Sequence, residues 1–142
     1  MSKKQDNPQD LEFIKHHVKD VEESILKTKC SPVSVEHKGK LYSCTTNVAM
    51  HYIGGKWKTV ILIHLINSPK RYNELHKLIP TLNERTLSIQ LKQMEEDGLI
   101  SRKVYTDKSP LKVIYSLTEF GKTLIPCILS IAKWGYDMVN KT

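Results

Sequence analysis

Apolar residues recur along this chain at helical spacing, and the period switches to two in one stretch. Leu11, Ile14, Val18, Val21 and Ile25 step by three and four residues in alternation, which predicts an amphipathic helix over about 9–28 with a narrow seam of heptad type. That seam fits packing on its own domain and pairing with another subunit equally well. Residues 30–43 alternate apolar and polar about Lys38 and Gly39, as either a small hairpin or a plain linker would. Thr45–Ile53 reads as a short helix closed by Gly54 and Gly55. A second helix over 56–67 buries Trp57, Val60, Ile61, His64 and Leu65. Ile63 and Ile66 make it apolar almost all round, which predicts the central helix of the core. Ser68 and Pro69 stop it. After an extended piece over 70–72, Asn73 is expected to cap a small helix reaching 79, with Leu75, Leu78 and Ile79 inward.

A three-residue turn, Pro80, Thr81 and Leu82, leads into a helix over 83–97, with Asn83 as its N-cap and Gly98 as its left-handed terminator. Leu87, Leu91 and Met94 form one apolar stripe, and Arg85, Ile89 and Lys92 lie opposite, flanked by Thr86 and Ser88. Glu95, Glu96 and Asp97 crowd the last turn, where acids oppose the helix dipole at a cost of about 0.3–1 kcal/mol each. A helix with a basic, polar start and an acidic end suits a polyanion approached with its first two turns. Beyond Gly98 the period becomes two: Ile100, Val104, Leu111, Val113, Tyr115 and Leu117 alternate with polar residues around a turn at 106–110. This predicts a β-hairpin made basic by Arg102, Lys103, Lys108 and Lys112. Two helices across a short turn, followed by such a hairpin, form a winged helix-turn-helix. Thr118 caps a last long helix to about 139, with Phe120, Leu124, Ile128, Ile131, Trp134 and Met138 on its apolar face and a kink predicted at 122–126 by Pro126. The fold class expected is α+β, mostly helical. A winged domain over 44–142 carries an N-terminal extension over 1–43.

Composition narrows the function. A length of 142 residues with 39% apolar content suits one core, and a net charge of +7 favours an acidic partner, nucleic acid or an anionic surface. No apolar run reaches a membrane span and the start has no signal-peptide pattern, so a cytoplasmic protein without membrane contact is expected. Cys30, Cys44 and Cys127 are odd in number, widely spaced and without Cys-x-x-Cys, which excludes a secreted disulfide framework and a zinc site of that type. Glu12, His16 and His17 have helical spacing, but no set of three or four metal ligands converges. No nucleophile-base constellation or P-loop occurs. Neither an enzyme nor a cofactor is expected.

Several blocks then occur in a recognisable order. They are Ile53, Gly54, Gly55, Lys56 and Trp57; Pro69, Arg71, Tyr72, Glu74 and Leu75; Leu91 through Met94, Glu95, Asp97, Gly98, Leu99 and Ile100; Tyr115, Leu117, Thr118 and Gly121; and Trp134 with Gly135. Together they resemble the HxlR-type family of bacterial winged-helix transcriptional regulators over 44–135. Ser68 stands for the family's Gly and Tyr72 for its Phe. The resemblance implies a homodimer on operator DNA, built from the helix at Thr45–Ile53 and the final helix, with 83–92 as recognition segment and 106–110 as wing tip. Some relatives sense electrophiles, quinones or oxidants through a Cys just before the first shared helix, and Cys44 stands there.

The site residues divide by chemistry. Arg85 suits bidentate contact to a guanine edge and Ile89 suits a thymine methyl. Thr86, Ser88 and Lys92 suit phosphates, as does Asn73 through helix amides, with Asn83 at the helix start. Lys108, with Lys103 and Lys112 on the strands, would reach phosphate or minor groove, and Arg71 reads as a structural or backbone-contacting residue. Cys44, at a helix start, is the candidate thiol sensor, against the plain reading of a lone Cys as a small buried hydrophobe. Cys127 is expected in the core. Two other readings stay open: a regulator responding to a small molecule between the first and last helices, and a winged helix used as a protein-interaction module docking through 11–25.

Overall fold

A computed structural model describes residues 35–106 and 108–141, and the helix expected over 9–28 lies outside them. The chain divides into two compact units, 1–48 and 49–142. In the first, β1 (Val35–His37) and β2 (Lys40–Tyr42) pair antiparallel with Val35 opposite Tyr42 and His37 opposite Lys40. Lys38 and Gly39 both take positive φ, 47° and 74°. That is the two-residue turn whose twist matches the strands it joins, so 35–42 is a hairpin and not a linker. Cys44 follows, and its carbonyl accepts the N–H groups of Asn47 and Val48 in the first turn of α1 (Thr45–Ile53).

In the second unit, α2 (Lys58–Asn67) is the central helix that its all-round apolar sequence predicts, although it starts after Trp57, which occupies the N-cap. Ile61 and Leu62 are fully buried and Leu65 nearly so, while Trp57, Val60 and His64 are half-buried. Strand β3 (Lys70–Arg71) pairs with β5 (Lys112–Leu117), which pairs with β4 (Ile100–Thr106), giving a sheet of order β3-β5-β4. Leu111 falls outside the strand expected to contain it and is exposed.

Helix α3 (Tyr72–Leu78) begins two residues earlier than expected. Arg71, not Asn73, is its N-cap, and the Glu74 carboxylate accepts the Arg71 N–H at 3.2 Å. A guanidinium carries only donors and cannot return the bond, so the capping is one-sided. Leu75 and Ile79, four apart, hold the inward face, and Leu78 is exposed rather than packed inward. The buried Leu82 anchors the turn into α4 (Glu84–Glu96), whose Leu87, Leu91 and Met94 are buried as their spacing predicts. Each such burial contributes about 1.5–3 kcal/mol.

Gly98 ends α4 at φ +77°, a conformation open to Gly at little cost. Leu99 and Ile100 then enter the core. Thr118 ties the far end of the hairpin to this point. Its N–H donates to the Leu99 carbonyl at 3.1 Å and its hydroxyl to the Gly98 carbonyl at 2.5 Å. The same Oγ1 accepts the Gly121 N–H at 2.9 Å, capping α5 (Glu119–Lys122). A Cβ at Gly121 would run into the Leu99 carbonyl oxygen.

The expected kink at Pro126 is a full break. Helix α5 stops, Thr123 and Leu124 turn, and α6 (Ile125–Asn140) starts with Pro126 in its first turn, where its missing N–H costs nothing. Of the predicted apolar face, Ile128 is buried, whereas Ile131, Trp134 and Met138 are exposed. Phe120 meets Tyr52 edge-on, ring centroids 5.5 Å apart. Cys127 is exposed, not a core residue. The helical step from Ile128 carries it off the buried line, and being one position before the single buried residue of α6 does not bury it.

Candidate nucleic-acid interface

The outward face of α4 is built by the residues that hold its inward face. With Leu87, Leu91 and Met94 locked in the core, Arg85, Ser88, Ile89 and Lys92 fall at i, i+3, i+4 and i+7 on the opposite side, and all four are exposed. Ile89 is 45% exposed, an apolar side chain displayed among polar ones. Asn83 starts the helix as its sequence predicts, Oδ1 accepting the Thr86 N–H at 2.8 Å. Thr86 itself is half-buried, on the flank of the face.

Tyr72 joins this face to the preceding helix. Its hydroxyl donates to the Glu84 carbonyl at 2.8 Å and lies 3.1 Å from Ser88 Oγ. One tyrosine therefore clamps the first two turns of α4 from the start of α3. Sequence reading missed this residue; the signal available was a Tyr where the resembled block carries Phe.

The wing is the β4–β5 hairpin. Lys103 sits on β4 opposite Ile114, and Lys112 begins β5 opposite Thr106. Lys103, Lys108 and Lys112 are all exposed. The Lys112 ammonium lies 5.7 Å from the Tyr105 ring centroid, within cation–π range. The Lys108 N–H donates to Thr106 Oγ1 at 3.2 Å, tying the turn to its strand. Between wing and helix-turn-helix lies a groove of about 420 Å³ lined in part by Arg71, Asn73 and Leu111. Asn73 thus faces the groove from the second residue of α3. The structure brings the Asn73 end of α3 beside the turn end of β5 in the wing, and Tyr72 joins α3 to the outward face of α4.

The acidic end of α4 points its charges elsewhere. Asp97 Oδ1 is 3.7 Å from His51 Nε2 at the end of α1, and Glu95 and Glu96 are exposed. Cys44 belongs to the first unit, half-buried, with Sγ 2.9 Å from Thr46 Oγ1. Cys30 lies outside the described residues. Among the described residues no group of three His, Cys, Asp or Glu side chains is placed to hold a metal ion, and no helix is long and apolar enough to cross a membrane.

Comparison with known proteins places this geometry. The model of the HxlR-like helix-turn-helix family matches residues 52–142. The chain is 50% identical over 92 residues to YdeP of Bacillus subtilis (strain 168), an uncharacterized HTH-type transcriptional regulator; the match spans 65% of this chain and 71% of YdeP. Among solved structures it is similar to the redox regulator HypR in its oxidized form, with a TM-score of 0.63 and 42% identity, covering 66% of this chain and 96% of that one. It is also similar to the reduced form of the transcriptional regulator YodB of B. subtilis, with a TM-score of 0.59 and 28% identity over 69% of this chain and 95% of that one.

Proposed function

We propose that this chain, which belongs to the HxlR-like helix-turn-helix family of transcriptional regulators, binds a palindromic operator as a homodimer, with α4 in the major groove and the β4–β5 wing on the adjacent backbone or minor groove. The observation that carries the reading is the outward face of α4. Arg85, Ile89 and Lys92 are displayed to solvent by a helix whose other side is sealed in the core. Arg85 takes a guanine edge, Ile89 a thymine methyl and Lys92 a phosphate. Thr86 and Asn83 serve the backbone from the helix start, and Asn73 serves it from the groove beside the wing. Lys103, Lys108 and Lys112 add sequence-independent attraction.

The homodimer is supported by α6, whose exposed Ile131, Trp134 and Met138 continue the line of its one buried residue, Ile128. The proposed signal is chemical modification of the Cys44 thiol, supported by its place at the start of α1 and by the likeness to a redox regulator. Operator binding measured with and without diamide tests the switch. Wild type should lose or gain affinity and Cys44→Ser should not; equal responses in the two proteins would remove Cys44 as sensor.

Nuclease footprinting of the purified protein on the DNA flanking its own gene tests the main reading. Protection of two inverted half-sites one helical turn apart, or a multiple of it, is expected. Protection without sequence preference would overturn it.

A further inference from the structure

We infer that Tyr72 fixes the hydrogen-bond polarity of Ser88, so that Ser88 reads an exocyclic amino group, adenine N6 or cytosine N4, at one position of the site. The inference rests on the reading of α4 as the recognition helix and goes beyond it. It follows from counting hydrogens. A carbonyl oxygen only accepts, so the 2.8 Å contact from the Tyr72 hydroxyl to the Glu84 carbonyl uses the one proton that a phenol has. The 3.1 Å contact between Tyr72 and Ser88 Oγ must then run the other way, with Ser88 donating. Ser88 has one proton too, and it is now engaged. What Ser88 presents outward is lone pairs alone.

That changes what Ser88 can bind. Phosphate oxygens, guanine O6 and N7, and thymine O4 are all acceptors, and an acceptor-only hydroxyl makes no hydrogen bond to any of them. The donors on the major-groove edges of the bases are the amino groups of adenine and cytosine. Ser88 is exposed on the same stripe as Arg85, Ile89 and Lys92, one residue before Ile89. It is therefore assigned to base reading rather than to phosphate. Tyr72 is a positioning residue: it touches no base and acts through the proton it withholds.

The test is selection of bound sequences from random duplex DNA by the full chain, by Ser88→Ala and by Tyr72→Phe, with sequencing of each bound pool. Wild type should show one position per half-site with a preference of about fivefold, the size expected of one net neutral hydrogen bond. Because each base pair carries one amino group in the major groove, replacing that group by hydrogen at this position should cost wild type the same factor and Ser88→Ala nothing further. Ser88→Ala, an exposed substitution to the best helix former, should lose that preference and keep the others. Tyr72→Phe frees the Ser88 proton and should admit guanine or thymine at the same position. Three results would overturn the inference: an unchanged Ser88→Ala profile, uniform weakening of all sequences by Ser88→Ala, or equal cost of the amino-to-hydrogen replacement for wild type and Ser88→Ala. An unchanged Tyr72→Phe profile would overturn the role of Tyr72. If wild type enriches no sequence at all, the recognition-helix reading itself fails, and that result is distinct from the others.

Discussion

At the scale of single residues, the proposed interface separates contacts that specify from contacts that attract. Arg85 is displayed from the second residue of α4. A bidentate pair to guanine is worth about 1–3 kcal/mol of discrimination, so Arg85→Ala should weaken operator binding by about that amount and relax preference at one base position. Lys108 sits in the wing turn, and Lys108→Ala should weaken all sequences alike and lower the slope of log affinity against log salt by about one. Titrations at several salt concentrations, on operator and on scrambled DNA, separate the two, and an Arg85→Ala protein with unchanged affinity and specificity would end the base-reading role. The residues of this face were legible in the sequence because each is fixed by a buried neighbour at helical spacing: once Leu87, Leu91 and Met94 point inward, Arg85, Ile89 and Lys92 have nowhere else to go. Tyr72 was not legible, because its role is a contact across twelve residues that no periodicity encodes. Cys127 is exposed where the sequence suggests core, for a related reason. An apolar residue on a helix says that some partner is wanted, and not that this chain supplies it.

At the scale of elements, helix ends decide more than helix middles. The α4 cap at Asn83 is a side-chain bond visible in the sequence, and Asn83→Ala should cost about 1 kcal/mol in urea unfolding while leaving the far half of α4 in place. The α3 cap, Arg71, lies two residues before the Asn73 that the sequence suggests. Asn at a helix start is the commoner cap, but here β3 pairing holds Arg71 extended against Ile114, so the helix begins as soon as the strand releases the chain. The junction of the hairpin with α5 makes a stronger demand. Thr118 and Gly121 close against Gly98 and Leu99 through backbone groups, which cannot move aside as a flexible side chain would. Gly121→Ala should therefore destabilise by about 1–3 kcal/mol, read as a lower denaturant midpoint with an unchanged slope. A midpoint equal to wild type would mean that α5 can back away from Leu99 at no cost. The break between α5 and α6 shows the limit of a proline rule: Pro126 announces that the helix is disturbed, and the observed outcome is a restart in which proline sits in the first turn.

At the scale of the whole molecule, the outer face of α6 is what a single chain leaves unfinished. Trp134 is 67% exposed, and Ile131 and Met138 lie three residues before it and four after on the same helix. A soluble monomer gains nothing by displaying an indole there, whereas a second copy of α6 would cover it. Trp134→Glu tests the proposed dimer cleanly because the side chain packs little within its own chain, so folding should persist with wild-type circular dichroism while the association is lost. Sedimentation equilibrium should then give the monomer mass where wild type gives twice that. In the proposed dimer, operator binding would depend on the same contact. Two linked recognition helices engage two half-sites with an effective concentration that raises affinity by about 10²–10⁴ over one helix alone. The Trp134→Glu protein should lose affinity within that range on a full palindrome and almost none on an isolated half-site. Equal losses on both would locate the fault in α4 instead, and a wild-type mass for the variant would place the dimer contact on another face.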